Sequence, residues 1–161
     1  MLRRRTCVGG IVVATIVLLA SPLAGSAAAP APGKVRPCKL LKQSEITTAF
    51  GMEATRGSAM GTDCTWQLDG LALSLDVTTS DAKATYESLR DLAEKAGSQP
   101  VKVTGVRDQA DFAEIPSFKE MLVLKGKRFL FLRLLDIENK VDAATAQAPM
   151  TQLGKSAAKR V

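Results

Sequence analysis

Three carboxylates spaced by three, Asp108, Asp111 and Glu114, are the residues of this chain best suited by type to chemistry. Two of them held close together could exchange a proton with a substrate or hold a hard cation. A plainer reading is a solvated turn after a strand, with Asp108 accepting backbone N–H bonds. The plainer reading is preferred, because the Gly-containing spacing of a calcium loop is absent. One count narrows the remaining chemistries: the 161 residues include no histidine. Ser-His-Asp triads, Cys-His pairs and His-ligated zinc sites are excluded, and neither a metal nor a cofactor is expected. A serine nucleophile could still use a lysine base at the Ser-x-x-Lys spacing, which Ser80 and Lys83 satisfy. That pair falls where a helix begins, so capping is the favoured role of Ser80. No phosphate-cradling glycine loop, nucleophile elbow or internal repeat is visible.

Positive charge gathers at Lys125, Lys127 and Arg128, and again at Lys155, Lys159 and Arg160. Nucleic-acid binding would want a longer stripe interleaved with stacking aromatics, and the chain has one Trp, one Tyr and five Phe, mostly at expected core positions. Lysines on a turn keep a sheet edge soluble, and cations in a last helical turn complement its dipole. A weak attraction to anionic envelope polymers is the functional alternative.

The start of the chain bears on compartment. Arg3, Arg4 and Arg5 precede an apolar run over 8–20, followed by Ser21-Pro22 and the small residues Gly25-Ser26-Ala27-Ala28-Ala29. Positive, then apolar, then small is the order of a secretory signal peptide, here 1–28 with cleavage after Ala28. The apolar run contains Gly9, Gly10 and Thr15 and falls short of the roughly 20 residues that span a bilayer. Cys7 lies ahead of that run and Cys38 lies behind a Pro-rich stretch, so neither occupies a lipid-acceptor position. A secreted protein without a lipid anchor is expected. Pro30, Pro32, Gly33 and Pro37 mark 29–37 as a linker, and 38–161 has the length of a single domain. Cleavage removes three arginines and Cys7, so the net charge of +6 becomes +3. Cys38 and Cys64 remain, and in an oxidising compartment they are expected to form one disulfide. No C-x-x-C pair argues for a redox thiol.

Hydrophobic periodicity supplies the elements. Ile46, Ala49 and Phe50 predict a two-turn helix over 44–50, capped by Ser44 and stopped at Gly51. Cys64, Trp66 and Leu68 alternate with polar residues, as do Leu71, Leu73, Leu75 and Val77, and Asp69-Gly70 between them predicts a hairpin with a type I′ turn. A weaker strand over 53–58 pairs with it. A helix over 82–96 follows, capped from Thr79-Ser80-Asp81, with Tyr86, Leu89, Leu92, Ala93 and Ala96 inward and Gly97 as its stop. Val101 and Val103 predict a short strand leading into the loop that holds Asp108. The run 122–124 predicts another strand, Gly126 a turn, and 129–135 a strand apolar on both faces except at Arg133. Such a strand lies at the centre of a sheet covered on two sides, or forms a ligand-facing surface. A last helix over 143–161 carries Ala146, Met150, Leu153 and Ala157 on one stripe, with Pro149 starting or kinking it. The order predicts an α+β domain, with an antiparallel sheet of about five to seven strands and helices packed on it.

Several of these residues also match a known pattern. Pro37-Cys38-Lys39-Leu40-Leu41, then Glu45, Ala49 and Phe50-Gly51, then Cys64-Thr65-Trp66, resemble the opening of a family of actinobacterial exported proteins and lipoproteins classed as a domain of unknown function. Gly105-Val106-Arg107-Asp108-Gln109-Ala110 is similar to that family's Gly-Leu-Gly-Asp-x-Ala segment, with Arg107 in place of the second glycine. The resemblance implies an envelope or extracellular α+β domain with a Cys38 to Cys64 bridge, and it implies no catalytic residues. Many members are lipid-anchored, which this chain's cysteine positions do not support.

The resulting expectation is a secreted, non-enzymatic binding or interaction module of the bacterial cell envelope or extracellular space. Its surface is expected around Trp66, Phe129, Phe131 and Arg133, and its partner is a protein or small ligand of envelope or medium. Neither nucleic acid nor a membrane span after cleavage is expected, and the chain is read as a monomer. Two alternatives are an inhibitor presenting the loop 52–61 to a secreted enzyme, and a carboxylate-dependent hydrolase built on Asp108 or Asp111. The hydrolase requires a carboxylate pair inside a concave pocket.

Overall fold

The computed structural model describes residues 35–106 and 108–161. The signal peptide expected over 1–28, with Cys7, the first part of the 29–37 linker, and Arg107 lie outside the described residues. A 3₁₀ turn, Pro37–Lys39, leads into α1 (Gln43–Phe50). Then come β1 (Ser58–Met60), β2 (Asp63–Leu68), β3 (Leu71–Thr78), α2 (Ala82–Lys95), β4 (Val101–Lys102), β5 (Gln109–Ile115), β6 (Phe118–Lys125), β7 (Arg128–Leu135) and α3 (Ala143–Arg160). Among the described residues these form three α-helices on one seven-stranded antiparallel sheet of order β1-β2-β3-β7-β6-β5-β4. The α+β expectation is met.

Alternation along the strands gives the sheet two unlike faces. On one, Cys64, Trp66, Leu73, Leu75, Met121 and Leu132 pack with Ile46 of α1 and with the α3 stripe of Ala146, Met150, Leu153 and Ala157. Burying each large side chain there contributes on the order of 1.5 to 3 kcal/mol, which is why the stripe predicts α3 so well. On the other face, Ala113, Leu122, Leu124 and Phe129 pack under Ala82, Tyr86 and Ala93 of α2. That helix lies on β5, β6 and β7. β7 therefore runs between covers on both sides, and its position between β3 and β6 answers the double-faced apolar pattern.

Polar anchors set the helices. Cys38 and Cys64 form a disulfide with Cα atoms 5.0 Å apart, tying the 3₁₀ turn rather than α1 itself to β2. This draws Pro37 into the interior and packs Val35 on the core, so the linker expected over 29–37 ends inside the fold. Asp136, fully buried after β7, accepts from Lys119 Nζ at 3.3 Å and from the backbone N–H groups of Lys140 and Val141, both at 2.9 Å. Burial alone would push its pKa up, but those three donors outweigh burial and hold it below the usual aspartate value. At the other end of α3, Arg160 grips Glu45 with Nη1 at 2.8 Å and Nη2 at 2.5 Å, and donates to the Leu40 carbonyl at 2.6 Å. The Arg160 bond, opposed by burial and helped by the Lys42 backbone, brings the Glu45 pKa down to about 2.

Several local expectations are corrected. Ser44 sits inside α1; Lys42 is the N-cap, and its N–H donates to Glu45 Oε2 at 2.8 Å, the carboxylate that Arg160 also holds. The strand expected over 53–58 is displaced to Ser58–Met60. Ahead of it, Thr55 Oγ1 accepts from Gln67 N at 2.9 Å, so a hydroxyl takes the place a ladder carbonyl would hold. A Cβ on Gly57 would lie 2.7 Å from Trp66 Nε1 and 2.8 Å from Cys64 Sγ, so only glycine lets this segment close over them. At Asp69-Gly70 only Gly70 has positive φ, which rules out a type I′ turn. Asp81 occupies the α2 N-cap at φ 51° without a side-chain capping bond, and Leu92 and Ala96 point to solvent. Residues 109–115, expected in a loop, form β5, whose inward Asp111 masks its alternation. Pro149 lies within α3, which begins instead at an Asp142 cap accepting from Thr145 N at 2.7 Å.

Removing one member of a buried ion pair leaves the other uncompensated, so Lys119→Met is expected to lower the unfolding free energy by about 3 to 5 kcal/mol in urea denaturation. Lys83→Ala, which breaks an exposed pair with Glu87, should change it by less than about 1 kcal/mol. Asp136 and Glu45 both have depressed pKa values, so the unfolded chain takes up protons first as pH falls. Their stabilisation is complete above the ordinary carboxyl range and is lost as pH drops toward about 2. Thermal melts across that interval should show the loss, with a shallower slope in Glu45→Gln.

Candidate functional site

The face that carries α2 is only partly covered, and the strand register defines what remains. Along β7, Phe129, Phe131, Arg133 and Leu135 point to this side. Phe129 lies beneath α2, with the Tyr86 ring edge-on at 6.2 Å. Past the helix, Phe131 and Arg133 are half-buried. The Arg133 guanidinium lies 4.7 Å from the Phe131 ring centre and 5.0 Å from that of Phe118. Its Nε donates to Glu120 Oε1 at 3.0 Å, across the β6–β7 ladder. Burial pushes the Glu120 pKa up, with Arg133 opposing the rise. On the β3 side Ser74 stands opposite Arg133 and Asp76 opposite Phe131, and Asp63 is Asp76's own partner on β2. Burial raises the Asp76 pKa, and the Asp63 charge adds to the rise. Asp76 Oδ1 is enclosed and has no hydrogen-bond partner among the described residues.

Physically this is a pre-oriented cation. Two rings and a carboxylate hold the guanidinium plane, while the side chain keeps 40% exposure and its Nη groups carry no protein acceptor among the described residues. A planar, oriented guanidinium suits a carboxylate, a phosphate or a stacked ring, and little side-chain entropy remains to be lost on binding.

The four residues expected to form a surface divide two and two. Phe131 and Arg133 are on this open patch. Trp66 is 1% exposed and belongs to the opposite face, where its alternation with Cys64 and Leu68 places it beneath Gly57. Phe129 is 2% exposed, because α2 covers it. Neither is a surface residue. Phe118 and Glu120, which complete the patch, were not among the expected site residues.

The three carboxylates do not converge. Asp108 is exposed and its Oδ2 accepts from the Gly126 N–H, bracing the β6–β7 turn. Asp111 is buried under α2, where it accepts from the Tyr86 hydroxyl, with Arg90 Nε 3.9 Å away. Burial, then the Asp111 bond, drives the Tyr86 pKa upward. Glu114 points to the opposite face and comes within 3.9 Å of Lys119 Nζ. Three residues of separation on a strand always divide two side chains between faces. They therefore build no shared acid/base pocket, and among the described residues no group of three His, Cys, Asp or Glu is placed to hold a metal. Lys83 pairs with Glu87 at 3.7 Å instead of approaching Ser80. In the loop 52–61, Met60 on the edge strand β1 is 78% exposed.

No helix among the described residues is long and apolar enough to cross a membrane. Comparison with protein-family models, with curated proteins and with solved structures finds no match to this chain.

A structural role for Asp111 has a measurable signature. Tyr86→Phe strands a buried carboxylate and should cost about 1 to 3 kcal/mol of stability in urea. An unchanged midpoint would show that Asp111 does not depend on the tyrosine.

Proposed function

We propose that this chain is an exported, non-enzymatic binding module of the bacterial cell envelope or extracellular space, and that it engages its ligand on the open sheet surface around Arg133. The observation that carries the reading is the guanidinium fixed by Phe118, Phe131 and Glu120 yet left half-exposed beside α2. The two aromatic walls fix the guanidinium plane, and the open side leaves its Nη donors accessible to a ligand. The Cys38–Cys64 disulfide supports an oxidising compartment, as does the signal-peptide order of 1–28. The resemblance to the actinobacterial exported family supports the same placement. Separation of Asp108, Asp111 and Glu114 weighs against the hydrolase alternative.

Site-specific photo-crosslinking tests the location. A photoreactive residue at Ser74, opposite Arg133, is expected to give a discrete adduct from an envelope and medium extract, and Arg133→Ala should abolish it. The same group at Lys83, on the outer side of α2, serves as control. Equal adducts from both positions would sink the assignment. An adduct confined to a probe at Met60, linked to a secreted enzyme, would instead establish the inhibitor reading.

A further inference from the structure

On the opposite side of the sheet from Arg133, the exposed flank of α3 meets the end of β6. A groove of about 430 Å³ opens there, lined by Gly105, Val106, Lys125, Lys155, Ala158 and Lys159. Lys125 also lines a hollow of about 380 Å³ at the β6–β7 turn, with Lys127 and Arg128, and Lys155 and Lys159 also line one of about 610 Å³ along α3. Five cations line these hollows together with Asp108, which has an oxygen committed to Gly126, and Val161, the last residue, whose O is held by Lys125. Among the described residues none of the five has an Asp or Glu carboxylate within 4.0 Å.

Two details mark a built feature rather than scattered surface lysines. Lys155 is only partly exposed, and its ammonium is seated against Gly105: a Cβ there would fall 2.9 Å from Nζ, on a backbone at φ +80°. Holding an ammonium against a wall without a counter-ion sacrifices hydration for no paired charge. Secondly, Lys125 donates to the Ala158 carbonyl at 2.5 Å and to the O of Val161, the last residue, at 3.0 Å. The carbonyl end of a helix repels anions, and Lys125 neutralises it. With that end masked, Lys155 and Lys159, one helical turn apart, face the groove as positive charges.

We infer that this groove binds a phosphate-bearing anion. Lysine ammoniums, four of the five cations, are compact point charges that suit a multiply charged tetrahedral group. No aromatic side chain lines it, so nucleobases would find nothing to stack on. The site is separate from the Arg133 surface and does not rest on it.

Inorganic polyphosphate and vesicles of phosphatidylglycerol are the two probes, with polyglutamate and phosphatidylcholine vesicles as their controls. Binding to polyphosphate in titration calorimetry assigns a soluble or polymeric phosphate; binding to phosphatidylglycerol vesicles alone assigns a headgroup. Lys155→Glu with Lys159→Glu should weaken the positive interaction about tenfold or more, and the milder pair Lys155→Gln with Lys159→Gln should weaken it in the same direction. Lys39→Glu with Lys95→Glu, the same change in net charge elsewhere, should leave it within about twofold. Thermal melts confirm that each variant folds. Failure to bind either phosphate probe, equal affinity for polyglutamate, or equal loss in the Lys39 and Lys95 variant would each overturn the inference.

Discussion

Everything on the covered face depends on where α3 lies, and α3 is aimed by one buried carboxylate. Asp136 gathers Lys119 and two backbone N–H groups at the point where the chain leaves β7. A buried ion pair is a poor source of net stability, because desolvating both charges offsets most of their attraction. Its effect is geometric: with Lys119 fixed on β6 and Asp136 just past β7, the connection to α3 has one satisfied arrangement. The Arg160–Glu45 clamp then settles the far end of the helix against α1. The disulfide closes the remaining flank by holding the 3₁₀ turn to β2. Take away the aim at Asp136 and the apolar stripe of Ala146, Met150, Leu153 and Ala157 has no defined line to follow.

The other face follows a different rule. One amphipathic helix of 14 residues, α2, is too small to shelter a seven-stranded sheet, so its cover ends partway along β7. Where cover ends, the outward residues turn from Phe129 and Leu122 to Arg133, Ser74 and Asp76. The boundary lies within a single strand: Phe129 is core, Phe131 is half-buried and Arg133 reaches solvent. Asp111 and Tyr86 make the matching polar contact under the helix. Cation, ring and carboxylate at such an edge satisfy one another and still present donors outward.

Periodicity made most of the fold readable. The 63–78 hairpin, α2, β7, the α3 stripe and the disulfide follow from alternation, from spacings of three and four, and from cysteine count. Signals that depend on a second element were not readable. Trp66 and Phe131 look equally suited to a surface, since both are aromatic residues in alternating strands. Only the placement of α1 and α3 over one face and α2 over part of the other separates them. Phe118 and Glu120 stayed hidden because their relevance lies in the β6–β7 register, which brings Glu120 opposite Arg133. β5 was lost for a related reason: Asp111 is a polar residue at an inward position, satisfied by a tyrosine 25 residues earlier.

Arginine and lysine divide the two proposed surfaces on physical grounds. Arg133 has already surrendered its rotamer freedom to Phe118, Phe131 and Glu120, so a ligand meets a fixed plane and orientation decides what fits. Apart from Lys125, which α3 holds, and Lys155, seated against Gly105, the lysines along the groove have flexible stems and no Asp or Glu partner among the described residues, so charge density weighs more there than shape. Both surfaces are carried by the β6–β7 hairpin, Glu120 and Arg133 on one side and Lys125 and Arg128 at its tip. A continuous antiparallel ladder joins them, and moving one strand against the other would break every pair from Phe118–Leu135 to Lys125–Arg128. The hairpin is therefore a rigid mount. Through it the two proposed surfaces share one frame, joined by the full length of the β6–β7 ladder.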